Sequence, residues 1–356
     1  MSLLRPRCRL VLVTVVAILA IGEIAAHVIG LPNLPRDTTF TSAREWSFPD
    51  WTAKDSELFW RFRPNRKIDG RYTINSHGYR GRDFTIAKAP GVTRVVCLGE
   101  SNTFGLGLPD NQIWPVKLQA RLNELDPHHR NWEVLNLAVT DYSSLQGLRL
   151  ASRELAQLKP DIVLYSFAWA DHQMAGHATP DARIDPGSPT AIAIEDLLNR
   201  VGWVRWGKRA WSALFPPEMP GPNVPGFDQR RVSSTDYEDN IEKIAKASIA
   251  AGARPILLTS PISWPPPGMT DTSGIFDVHH RYHRLARYGA VAGGAEFVEM
   301  ATAFDEHAEF YDDPRQGNEL FNARGHAFAA DFLARYILGD TAIVNHYGSA
   351  AIIGRE

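Results

Sequence analysis

The residues best placed to do chemistry begin at Gly99-Glu100-Ser101, directly after the apolar, β-branched run Arg94–Leu98 and ahead of Asn102-Thr103-Phe104-Gly105. A serine presented where a strand ends and a helix begins can act as a nucleophile, because backbone N–H groups there can face a developing oxyanion. Gly and Ser are also common turn residues after strands, so a purely structural turn is the competing reading. A phosphate-cradling loop is excluded, since neither Gly-Lys-Ser/Thr nor a GxGxxG opening a helix is present. Asp171, His172 and His177 place metal-ligand side chains in one stretch, but without a zinc-type ligand spacing, so neither a metal nor another cofactor is expected.

The elements that must position Ser101 follow an alternating rhythm. Strand-like runs at Arg94–Leu98, Trp132–Leu137, Asp161–Phe167, Pro255–Thr259 and Glu296–Glu299 are interleaved with helical patterns at Ile113–Leu125, Leu145–Leu158, Tyr237–Ala251, Tyr282–Val291 and Ala323–Leu338. Strands alternating with helices of this length predict an α/β fold whose parallel sheet is covered on both faces, with functional loops at the carboxyl ends of the strands. The stretch Gln173–Thr235, with Trp203, Trp206, Trp211 and many prolines, breaks the rhythm and reads as a cap. Its aromatics are expected to pack a local core, and a place beside the strand ends would let them shape a substrate.

Before the first strand, Arg5, Arg7 and Arg9 precede an apolar stretch from Leu10 to Leu31, interrupted by Glu23 and His27. As a helix it would cover about 30 Å, enough for one membrane crossing. A retained anchor and a cleaved leader both imply export. The apolar continuation Ile24–Leu31 and the poor cleavage site Ala25-Ala26-His27 favour the anchor, with the arginines cytoplasmic and the rest outside, that is periplasmic. A carboxylate within the span is costly, so Glu23 is expected near the outer interface, neutral, or packed against a partner helix, the first being favoured. The organisation is therefore an anchor or signal over 1–31, a small β-containing appendage over 32–91, an α/β domain over 92–340 with the cap at 173–235, and a tail over 341–356. With 38 Lys plus Arg against 40 Asp plus Glu, the chain has no broad basic footprint, which excludes a nucleic-acid partner. Its two cysteines, Cys8 and Cys97, exclude a disulfide framework.

From about Val92 to Leu338 the chain resembles the SGNH/GDSL hydrolase superfamily, whose first block reads approximately Gly-Asp-Ser; Glu100 stands at the usual Asp. The upstream Ile74-Asn75-Ser76-His77-Gly78-Tyr79-Arg80-Gly81 is similar to a segment of membrane-anchored members. The resemblance implies a three-layer α/β/α fold with a parallel sheet, SGNH/flavodoxin-like, behind an N-terminal transmembrane helix. It also implies that Ser101 is the nucleophile and its N–H one oxyanion donor. Ala138, in Asn136-Leu137-Ala138-Val139, stands at the family's glycine and could supply a second backbone donor if no positive φ is required.

Two blocks depart from the family. Ala170, in Ala168-Trp169-Ala170-Asp171, replaces the asparagine whose amide is an oxyanion donor, and losing such a donor costs on the order of 3 to 4 kcal/mol. At the DxxH motif, Asp312 fits the acid but Arg315 takes the place of the histidine. Counted back from Gly325-His326, Leu320 takes it and Gly317 stands at the acid. A serine without an adjacent base is a poor nucleophile at neutral pH. His172 is the candidate for a displaced base. Asp277-x-x-His280 has the spacing but precedes an earlier helix, where His279 and His283 read as a solvated helix start. His326 belongs in the first turn of the last helix, out of reach of Ser101. Two functions follow. One is an extracytoplasmic serine ester hydrolase or acyl transferase acting on an acylated glycan or lipid with degraded activity. The other is an inactive relative serving as a binding or assembly subunit of a membrane complex.

Overall fold

The computed structural model describes residues 6–29, 51–173, 180–215, 230–263, 274–305, 307–311 and 320–347. Helix α1 (Pro6–Val28) contains Leu10–Val28, long and apolar enough to cross a membrane. After it, β1 (Thr52–Asp55) pairs with β2 (Phe59–Phe62), and β3 (Arg66–Ile68) with β4 (Tyr72–Ile74). The alternating part then runs β5 (Val92–Gly99), α2 (Ser101–Phe104), α3 (Trp114–Leu125), β6 (Asn131–Asn136), α4 (Ser144–Leu158), β7 (Ile162–Ser166) and α5 (Trp169–His172). The insertion contributes α6 (Pro189–Leu198) and α7 (Gly202–Leu214). It is followed by α8 (Ser234–Ala250), β8 (Arg254–Leu258), α9 (Ile275–Gly293), β9 (Glu296–Val298), α10 (Met300–Phe304), α11 (Ala323–Leu338) and α12 (Thr341–Tyr347).

Five strands form a parallel sheet in the order β6-β5-β7-β8-β9. Because β6 lies on one side of β5 and β7 on the other, the strand order reverses at β5, the place where open α/β sheets bind their ligands, at the strand carboxyl ends. That is where Ser101 follows. The strands read as apolar runs because both faces are covered. Val95, Cys97, Leu164, Ile256 and Leu258 share a core with α3 and α11. The alternate residues Val96, Leu98, Val163 and Leu257 are equally buried and point to the opposite face, where α4, α8 and α9 pack on one another in turn. Local chemistry sets the helix ends. Ser143 and Gln146 form a capping box on α4, and the Asn322 side chain accepts the N–H groups of Arg324 and Gly325 at the start of α11.

The described chain falls into two compact units. Arg61 to Ile74, the latter half of the expected appendage, belongs with the α/β unit, reaching the sheet through bridges Ile74 to Arg80 and Arg80 to Asn136. Helices α6 and α7, read from sequence as a cap, group with α1 in the other unit.

Candidate active site

Ser101 opens α2, separated from the end of β5 by Glu100 alone. The turn needs Gly99, because a Cβ there would lie 2.4 Å from Thr103 Oγ1 and 2.9 Å from Ser166 O. Ser101 is 8% exposed, no described residue hydrogen-bonds to its Oγ, and its N–H donates to none. In a four-residue helix the first N–H groups have no intrahelical acceptor, so the Ser101 N–H is available to an oxyanion.

The turn is held from two sides. Asn75 organises the upstream motif, its Oδ1 accepting the N–H groups of His77 and Tyr79. That turn delivers the buried Arg80, whose Nη1 donates to Phe104 O and Gly105 O at 2.8 and 2.6 Å and whose Nε donates to Asp110 Oδ1 at 2.9 Å. From β6, Asn136 Nδ2 donates to Thr103 O at 2.9 Å. Asn102 Oδ1 accepts the Phe321 N–H at 3.0 Å, tying the first block to the segment before α11. Spacing alone offers no signal for Arg80, Asn136 or Asn102; the upstream segment around Arg80 stood out as a motif but without a role.

Glu100 does what an aspartate one methylene shorter would do differently. Its Oε1 accepts the Ala168 and Trp169 N–H groups at 3.1 and 3.0 Å, and its Oε2 accepts the Ala170 N–H at 2.8 Å. The third block is thus fastened to the residue beside Ser101. Burial, with Asp171 nearby, pushes the Glu100 carboxyl up to about 8. Burial also raises Asp171, whose Oδ1 accepts the Ser144 N–H at 2.8 Å.

The blocks after β5, β6 and β7 stand at adjacent strand ends, Gly99 pairing with Ser166 and Val139 N–H donating to Gly99 O at 3.2 Å. Ala138 keeps its N–H and has no positive φ, as alanine requires. The N–H is nevertheless engaged, donating to Asn136 Oδ1 at 3.1 Å, so Ala138 is not a free second oxyanion donor. His172 also departs from its expected role. Its Nε2 meets His279 Nδ1 at 2.9 Å, inside a buried cluster in which His279 and His283 both reach Ser260 O. Burial lowers His172 to about 3, which makes it a feeble proton acceptor. His279 is wholly buried, not part of a solvated helix start, and α9 begins earlier than expected because its histidines face inward. His280 lies in that helix with its ring 6.0 Å from that of His283. His326 is buried in α11 and accepts the Trp114 N–H on Nδ1 at 3.0 Å. Asp312, Arg315, Gly317 and His177 lie outside the described residues; Leu320 is described, half-buried, and offers no proton acceptor. Among the described residues no cluster could hold a metal ion.

The GDSL-like Lipase/Acylhydrolase family profile matches residues 97–328, from within β5 into α11. This chain belongs to that family. Within the GDSL-like fold, solved structures similar to it include TesA, at 15% identity over 70% of this chain and 99% of that one, with a TM-score of 0.43. Another is the acetylxylan esterase Axe2 of Geobacillus stearothermophilus, at 12% identity over 69% of this chain and 94% of that one, with a TM-score of 0.45. A GDSL-like lipase of Parabacteroides merdae is similar at 10% identity over 69% and 95%, with a TM-score of 0.44. No curated protein matches the chain. The GDSL-like assignment accounts for a serine at the end of β5, where the strand order reverses.

Proposed function

We propose that this protein is a membrane-anchored, extracytoplasmic member of the GDSL-like family that engages acyl esters of a glycan or lipid at Ser101, with strongly attenuated hydrolytic or acyl-transfer turnover. In the reaction Ser101 Oγ attacks the ester carbonyl, the oxyanion forms against the Ser101 N–H, and the alcohol leaves as the acyl group stays on Oγ. Water or a second hydroxyl then takes the acyl group. Each half needs a base to accept a proton. The observation that carries the proposal is that Ser101 Oγ has no described hydrogen-bonding partner, while His172 and His326 are bonded elsewhere and held neutral by burial.

The same observation favours a second reading, a subunit that binds an acylated ligand or a membrane partner without turnover. Rebuilding the base separates the two. Arg315→His restores a histidine three residues after Asp312, and Leu320→His does so in the other register once Gly317→Asp supplies the acid. A Ser101-dependent gain in ester hydrolysis by either folded variant is expected if the site still binds acyl esters. No gain from either would refute the catalytic reading in favour of the binding subunit.

A further inference from the structure

Helix α7 has two unlike sides. At 3.6 residues per turn, Arg205, Lys208 and Arg209 gather on one side, and the three tryptophans with Leu214 on the other. The apolar side begins against α1. The Trp203 indole N–H donates to Leu19 O at 2.9 Å and that of Trp206 to Gly22 O at 3.1 Å. The backbones come so close that a Cβ on Gly202 would lie 2.6 Å from Ala26 Cβ. Glu23 accepts the N–H groups of Gly202 and Trp203 at 2.8 and 3.3 Å, the packing against a second helix that was one of its expected settings. A carboxylate inside a membrane span is costly unless partnered, and the first turn of a helix offers unpaired N–H donors at its positive end. Glu23 thereby caps a helix nearly two hundred residues away in sequence.

Much of the apolar side of α7 is left uncovered within this unit. Trp211 is 66%, Leu214 73% and Phe215 58% exposed, the rings of Trp211 and Phe215 lying against each other, and Ile194 and Leu197 of α6 are exposed as well. Soluble surfaces seldom present such a contiguous patch. The depth is also informative. By helical rise, Gly22 lies about 9 Å inside the Val28 end of the span, within the depth at which interfacial helices bury their apolar faces, and Leu19 lies deeper, about 14 Å in.

We propose that α7 is a membrane-interface helix. It lies in the leaflet at the C-terminal end of α1, with its tryptophans and Leu214 among the acyl chains and its arginines at the lipid phosphates, and Glu23 fixes its angle to the anchor. This rests on α1 being retained, as proposed above. The anchor and the short α7 contact together tether the insertion to the bilayer surface, where a lipid-borne acyl group would be encountered.

The test uses the full chain with Cys8→Ser, reconstituted in phosphatidylethanolamine/phosphatidylglycerol vesicles and carrying a nitroxide at Leu214→Cys, with Lys243→Cys as the aqueous control. Intact mass of the protein recovered from cells first establishes whether α1 is present; its loss would sink the anchor reading, independently of α7. With α1 present, the label at 214 should meet dissolved oxygen severalfold more often, and an aqueous nickel chelate severalfold less often, than the label at 243. Adding Glu23→Ala should raise nickel access at 214. Nickel access equal to the control would overturn the inference. So would a label reached by neither reagent, because position 214 would then be covered by protein.

Discussion

Arg80 Nη1 lies 2.6 Å from the carbonyl oxygen of Gly105, so the turn that presents Ser101 is clamped at its far end by a guanidinium whose side chain is fully buried. Removing it would take this donor from the carbonyls of Phe104 and Leu108 and from Asp110 Oδ1, while Gly105 O keeps the Leu108 N–H and Asp110 Oδ2 the Thr73 N–H. Arg80→Ala should therefore cost about 3 kcal/mol or more of stability, as breaking buried charged pairs does. Arg80→Lys should recover only part, since an ammonium cannot reproduce the planar fork. Denaturant melts of the two variants give the ordering.

The Glu100 carboxyl group takes three successive N–H groups, and no other described side chain accepts them. Glu100→Ala leaves buried donors unpaired, at roughly 1 to 3 kcal/mol for each that finds no water. Glu100→Asp, which restores the family's usual residue, should also destabilise here, because the shorter carboxylate falls short of the Ala168–Ala170 backbone. Amide exchange in that backbone should accelerate in both variants.

Four histidines lowered by burial, His172, His279, His283 and His326, set an acid limit on the fold. Burial holds His172 and His326 at about 3, below the ordinary imidazole value. The unfolded chain thus binds protons that the native state refuses, and stability falls as pH drops from about 6.5 toward 3, by up to about 1.4 kcal/mol per pH unit for each group. Glu100 and Asp171, raised by burial, act in the opposite sense: their contribution is present below the ordinary carboxyl range and fades as pH rises through their folded values. Comparing wild type with His326→Asn cancels the carboxyl contributions. The variant should show the shallower slope between pH 6 and about 4.

Much of the architecture was legible in the sequence because buried parallel strands announce themselves. Val95-Val96-Cys97-Leu98 and Ile162-Val163-Leu164 are apolar on both faces, and the observed strands differ from the expected ones by two residues at most at either end. The final helix was expected over Ala323–Leu338 and is found there, with Asn322 and Gly339 marking its ends. What could not be read was long-range pairing of polar groups. Nothing near Glu23 in sequence points to Gly202, and nothing in the spacing of Arg80 points to Gly105. The histidines of α9 misled for the same reason, since imidazoles three and four apart look solvated until a buried carbonyl, Ser260 O, is found between them.

The proposed export rests on Arg5, Arg7 and Arg9 ahead of the apolar run Leu10–Val28. A reporter fused after Glu356 should be active only outside the cytoplasm, and the protein should stay in the membrane fraction through a high-salt wash. An active cytoplasmic reporter would reverse the topology.

The most direct measurement is hydrolysis of short acyl esters by purified wild type against a Ser101→Ala control at neutral pH. Ser101 stands at the switch point of the sheet with its Oγ unpartnered among the described residues, and His172 is bonded to His279 instead. Wild-type turnover is expected barely above the control, with slow modification of Ser101 by a serine-directed phosphonate. Efficient turnover that disappears in Ser101→Ala would contradict the account, because it would require a base at Ser101 that neither His172 nor His326 can supply.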